Sequence, residues 1–115
     1  MREIKFRAWV KVAQQIATWD EICKEKNLHR LIGNSEYPLM QFTGLQDKNG
    51  VDIYEGDIVG GVLHKDYSEY VGFILYGYNG YRIKTATKSL GLDLTEKLTV
   101  IGNIYENPEL QEKVC

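Results

Sequence analysis

Asp52, Glu55 and Asp57 are three carboxylates within six residues. Such a group can hold a divalent cation or divide into a general acid and a general base, as a metal-dependent hydrolase requires. Their setting favours a plainer role. Gly56 separates Glu55 from Asp57 and marks a tight turn, where an aspartate bonds nearby amides and a glutamate faces water. The soft ligands are His29, His64, Cys23 and Cys115. They form no C-x-x-C pair and no histidine pair at helical spacing, so zinc is not indicated and the histidines read as surface residues. Cys23, inside a short amphipathic segment, reads as a small core hydrophobe, and Cys115 as a terminal thiol. Eleven glycines supply no G-x-G-x-x-G or P-loop between a strand and a helix, so no phosphate cradle is expected. These residues imply no catalytic site, no metal site and no cofactor.

The tyrosines carry more weight. Tyr67, Tyr70, Tyr76, Tyr78 and Tyr81 share a short span with His64, Lys65, Arg82, Lys84 and Lys88. Aromatic and basic side chains together can stack bases and meet phosphates. Tyr67, Tyr78, Tyr81, Arg82 and Lys84 are therefore the candidate nucleic-acid surface. Asp66 and Glu69 dilute it, and a net charge of -2 gives no long-range attraction to a phosphate backbone. Tyrosine equally suits twisted strands and subunit contacts, where the ring is buried and the hydroxyl finds a partner.

Elements that would position these residues follow from periodicity and turn chemistry. A chain of 115 residues, 43% hydrophobic and 26% charged, has the composition of one packed domain that needs no disulfide framework. The expectation is a mainly β fold with minor α: a small barrel or roll in the last two thirds, with an N-terminal strand and a short helix packed on it. A single domain spans 1–115, with 1–38 as the strand and helical segment and 39–115 as the barrel and a short C-terminal helix.

Alternation from Arg2 to Trp9 puts Ile4, Phe6 and Ala8 on one face and Lys5, Arg7 and Trp9 on the other, a half-buried strand. Thr18 and Glu21 form a capping box, so a helix begins at Trp19 and ends near Asn27. Gly33-Asn34-Ser35 and Tyr37-Pro38 mark a loop, and Leu39 to Phe42 a short strand. Asp47-Lys48-Asn49-Gly50 is a type I turn with a glycine bulge, which sets Leu45 opposite Ile53. Gly56 has the positive φ of a second turn, and Gly60-Gly61 is expected to form a bulge or barrel corner. Asn79-Gly80 closes a hairpin that pairs Tyr78 with Tyr81, Tyr76 with Ile83 and Ile74 with Thr85 on the core side. Its other side pairs Leu75 with Lys84 and Phe73 with Ala86, so Phe73 and Leu75 need a cover and are the candidate interface. Lys88 to Lys97 reads as a loop, Leu98 to Tyr105 as the last strand, and Asn107-Pro108-Glu109 as the N-cap and start of a helix.

Three stretches, Arg2 to Trp9 (REIKFRAW), Gln41 to Val59 (QFTGLQDKNGVDIYEGDIV) and Val100 to Leu110 (VIGNIYENPEL), resemble the YopX family of phage and prophage proteins. Val10 stands where that family commonly has an acidic residue, and Lys11 to Pro38 lies outside the resemblance. The resemblance implies a C-terminal SH3-type barrel roll, a homo-oligomer and no established biochemical activity. The function expected is thus a non-enzymatic, oligomeric binding or assembly module. The alternatives are a nucleic-acid accessory protein, or the metal-dependent hydrolase above. A bacterial host's cytoplasm is the expected compartment, with a second copy or another protein as partner and no membrane: the N-terminus leads into no long apolar stretch.

Overall fold

The computed structural model describes residues 4–24, 33–62, 69–77, 80–86, 89–91 and 98–112. The elements are β1 (Phe6–Val10), β2 (Gln15–Ala17), α1 (Trp19–Lys24), β3 (Leu39–Gln46), β4 (Asp52–Tyr54), β5 (Asp57–Val62), β6 (Glu69–Gly77), β7 (Gly80–Lys84), β8 (Ser89–Gly91), β9 (Leu98–Asn103) and α2 (Pro108–Glu112). They make a mainly β fold of two sheets, one ordered β2-β1-β3-β4 and the other, a curled half-barrel, ordered β8-β7-β6-β5-β9.

The N-terminal alternation folds as a strand covered on both faces. Ala8 and Val10 pack with Ala17 and Ile22, so α1 lies on that side, and Phe6 tilts against Trp19 at 6.1 Å between ring centroids. On the other side Trp9 joins Met40, Phe42 and Tyr54 and stacks on Tyr105 at 5.8 Å. The capping box starts α1: the Glu21 amide donates to Thr18 Oγ1 at 3.3 Å, and the Thr18 amide to Glu21 Oε1 at 3.4 Å. Ile22 takes the buried position, whereas Cys23 is exposed and is not the core hydrophobe expected. In so short a helix one residue per turn fills the space under the sheet, and Cys23 falls beside that line. The helix is described as far as Lys24, so an end at Asn27 lies outside the described residues.

β3 runs past Phe42 to Gln46 and pairs with β1, so the boundary expected at residue 38 falls inside one sheet. The turn that follows is the expected one: the Gly50 amide bonds the Asp47 carbonyl at 3.0 Å, and Gly50 has φ +81. Leu45 does not share a face with Ile53. The ladder shifts between Phe42 and Gln46, around Gly44 with φ +91, leaving Leu45 exposed while Ile53 is buried. The three-residue β4 serves both sheets, sending Ile53 into the half-barrel core with Val59, Ile74, Ile83 and Leu98, and Tyr54 into the cluster around Trp9.

Gly56 turns the chain from one sheet to the other with φ +87, and its backbone staples them: its amide donates to the Ile74 carbonyl and its carbonyl accepts from the Ile104 amide. The Gly60-Gly61 pair does not bulge. β5 pairs regularly there with β6, and the extra residue is Ile101 on β9, opposite the step from Ile58 to Val59. Gly102 marks a close approach as expected, but to the Asn107 side chain. That side chain accepts from the Asn103 amide at 3.2 Å, where β9 ends, and α2 begins at Pro108 as expected, with the Asn107 carbonyl accepting from the Leu110 amide at 3.0 Å.

The β6–β7 hairpin keeps its expected faces in a different register, but Tyr76, expected on the core side, is 67% exposed near the hairpin end, beyond the core residues Ile74 and Ile83. Gly77 pairs with Gly80, Tyr76 with Tyr81, Ile74 with Ile83, Leu75 with Arg82 and Phe73 with Lys84. The shift of two residues preserves which side each residue faces. Packing explains it. A Cβ on Gly72 would lie 2.6 Å from Ile83 Cγ2, so this glycine makes the room that seats Ile83 beside Ile74 in the core. Within the span read as a loop, Ser89 to Gly91 adds a strand to β7. Tyr78, expected opposite Tyr81, lies outside the described residues.

Candidate functional site

The three carboxylates first considered for chemistry are each turned to a different partner. Asp52 accepts from Lys5 Nζ at 2.7 Å and from Gln46 Nε2 at 3.0 Å. Burial pushes its carboxyl upward, but these two donors and the Lys5 charge outweigh it and hold the group below its ordinary range. Glu55 accepts from the Gln41 amide at 3.0 Å. Asp57, only 1% exposed, binds the Arg7 guanidinium through one oxygen and accepts from the Tyr54 amide at 2.8 Å through the other. Burial dominates there and leaves the Asp57 carboxyl above its ordinary value in spite of Arg7. Among the described residues no three of His, Cys, Asp and Glu are placed to hold a metal ion. His29, His64 and Cys115 lie outside the described residues.

Arg7 and Asp57 are the pair that the sequence did not reveal. Fifty residues apart, they tie β1 in one sheet to β5 in the other, and the guanidinium lies 4.5 Å from the Tyr54 ring centroid. Among the described residues Arg7 Nε, which is buried, has no hydrogen-bond partner. Asp47, also expected as a turn residue, does more: one oxygen accepts from the Asn49 and Val51 amides, and the other from Val100 on β9 at 2.9 Å. It thereby fastens the β3–β4 hairpin across the edge of the half-barrel.

Of the candidate nucleic-acid residues Tyr81, Arg82 and Lys84 are described, and they divide between the two faces of β7. Tyr81 sits on the inner face of β7, against the half-barrel core and edge-on to Tyr76 at 5.1 Å. Arg82 and Lys84 alternate with the core residue Ile83, so Lys84 shares the outer face with Phe73 and Arg82 shares it with Leu75. Arg82 is further held by Ser89, whose Oγ accepts from Nε at 2.8 Å and whose carbonyl accepts from Nη2 at 3.0 Å. Tyr67, Tyr78, Lys65 and Lys88 lie outside the described residues.

What the structure does assemble is the outer face of the second sheet. Phe73 and Leu75 are half-buried and line a groove of about 250 Å³ with Leu39, Met40, Ile104 and Tyr105. The groove is where the N-terminal sheet rises beside the half-barrel. Away from it the same face carries exposed apolar residues, with Thr99 beside Gly60 and Lys84 beside Phe73. Val71, two residues before Phe73 on β6, is 41% exposed, Val62 on β5 is 37% exposed, and the bulged Ile101 on β9 is 45% exposed. A Cβ on Gly60, which pairs with Val71, would meet Ile101 Cδ1 at 3.9 Å, which puts Ile101 on this face. Glu69 closes the row at one end, and Arg82 and Lys84 flank it at the other. The β9 bulge and Gly60 were the signals missing from the alternation: one turns an isoleucine outward, and the other leaves it uncovered.

Two solved structures are similar over nearly the whole chain. Protein EF1440 from Enterococcus faecalis superposes with a TM-score of 0.68 at 25% identity, covering 96% of this chain and 99% of that one. Protein yopX from Bacillus subtilis gives a TM-score of 0.60 at 20% identity, covering 92% and 96%, which is a likeness of fold. No curated protein matches. The family model described as YopX protein matches residues 5–112, and the chain belongs to the YopX family.

Proposed function

We propose that this chain is a phage- or prophage-derived, non-enzymatic binding module of a bacterial cytoplasm, working as a homo-oligomer through the outer face of its second sheet. The observation that carries the reading is the apolar row on that face: Val62, Val71 and Ile101 open to solvent, continuous with the half-buried Phe73 and Leu75. A sheet with one free face ordinarily alternates polar residues outward, and a contiguous outward apolar patch marks a surface that another molecule covers. The ionisable groups support the same reading, because Asp52, Asp57 and Arg7 are spent on internal pairs. The phage origin rests on the family resemblance.

Sedimentation velocity over a concentration series tests this. The wild type should sediment above the 13.2 kDa monomer, and Val71→Asp, which places a charge in the centre of the row, should return it to the monomer with an unchanged circular dichroism spectrum. A wild type that stays monomeric at high concentration would overturn the reading.

A further inference from the structure

We infer that the second copy lies antiparallel on this face, so that Glu69 of each copy meets Arg82 of the other. This rests on the self-association proposed above and adds its geometry. A contact between like faces of two identical sheets has a two-fold axis in the plane between them, lying either along β6 or across it. An axis along β6 would stack Glu69 on Glu69, a like-charge pair, and would bring the raised N-terminal sheet of one copy against that of the other. An axis across β6 avoids both, and its like-charge neighbours are the two Lys84 side chains, one residue to either side of the axis on β7.

The register follows from the strand. Glu69 and Leu75 are six residues apart on β6, about 20 Å at 3.3 Å per residue. An axis across β6 at Gly72 therefore exchanges their levels and sets Val71 of one copy over Phe73 of the other. Arg82 pairs with Leu75, one strand spacing of about 4.8 Å to the side, which an arginine side chain spans. Its guanidinium bonds Ser89 on β8, on the side of β7 away from β6, so pairing with Glu69 draws it back across β7 in exchange for those bonds. Shape agrees with charge. The face is walled by Ile104 and Tyr105 at its Leu75 end, whereas Val71 and Val62 are exposed at the other, so among the described residues each wall stands over exposed apolar residues of the partner in the antiparallel arrangement.

Charge reversal tests the pairing. Glu69→Arg and Arg82→Glu should each weaken self-association about tenfold or more, since each places two like-charge pairs in the interface. An equimolar mixture of the two variants should restore it to within about threefold of wild type, because both contacts in the mixed dimer are again opposite in sign. Recovery on mixing also shows that both variant chains are folded. If the wild type associates while the single reversals leave it unchanged, or the mixture fails to recover, this geometry is wrong and self-association stands. A wild type that never associates removes both.

Discussion

Replacing Arg7 with methionine removes the guanidinium, together with its contact over the Tyr54 ring, and keeps most of the apolar stem. What remains is the Asp57 carboxylate, whose side chain is 1% exposed, with the Tyr54 amide as its remaining donor and no counter-charge. The Arg7 side chain is itself only 15% exposed, so the pair belongs to the buried class, in which deleting one partner costs about 3–5 kcal/mol. That is a large share of the roughly 5–15 kcal/mol by which a domain of this size is stable. The cost depends on pH in a defined direction. Burial already raises the Asp57 carboxyl, and losing Arg7 raises it further. The folded variant therefore holds its proton more tightly than the unfolded chain, and stability falls as pH rises from the ordinary carboxylate value through the raised one. Urea denaturation at pH 7 and at pH 4.5 should show the Arg7→Met deficit shrinking in acid, toward the roughly 1 kcal/mol of a lost hydrogen bond. The double variant Arg7→Met/Asp57→Asn should recover to within about 1–2 kcal/mol of wild type at pH 7, because the asparagine oxygen still accepts from Tyr54 and no charge is buried. A single variant within about 1 kcal/mol of wild type at pH 7, or a double variant no better than the single, would refute the reasoning.

Two further expectations concern buried polar groups. The Tyr70 hydroxyl is buried without a partner among the described residues, so Tyr70→Phe should stabilise the protein by about 1 kcal/mol and raise its Tm by several degrees; a lower Tm in calorimetry would show that the hydroxyl is satisfied in solution. Asp47 and Asp52 are held below the ordinary value of 3.8. The unfolded chain then takes up more protons than the folded one, so their contribution is present above that pH and is lost as pH falls from it through the lowered folded value. Asp52→Asn should flatten the acid limb of a stability-against-pH curve, and an unchanged limb would argue that Lys5 does not pair with Asp52 in solution.

Local signals led to local structure. The Thr18–Glu21 capping box, the Asp47 to Gly50 turn and the left-handed Gly56 are each written within four residues, and each is in place. The faces of the β6–β7 hairpin were equally legible, because alternation is a period of two and survives a register error of two. Its register was not, since Gly72 had to be seen beside Ile83 before the pairing could be chosen. The three-residue β8 is too short to show alternation. Arg7 and Asp57 lie 50 residues apart, and neither has a neighbour in sequence that signals an ion pair. The candidate surface was legible in part: Phe73 and Leu75 stood out as outward apolar residues, whereas Ile101 reached the same face through a β9 bulge that periodicity could not place. Cys23 shows the opposite failure, where helical spacing alone could not say which of two adjacent residues would be covered.

The working surface can be read directly from methyl groups. On dilution of isotopically labelled protein, the NMR signals of the Val62, Val71 and Ile101 methyls should move together, while those of Ile53, Val59 and Ile83, buried in the half-barrel, stay fixed. Concentration-independent spectra, or shifts confined to residues elsewhere on the chain, would contradict the assignment of this face as the site of assembly.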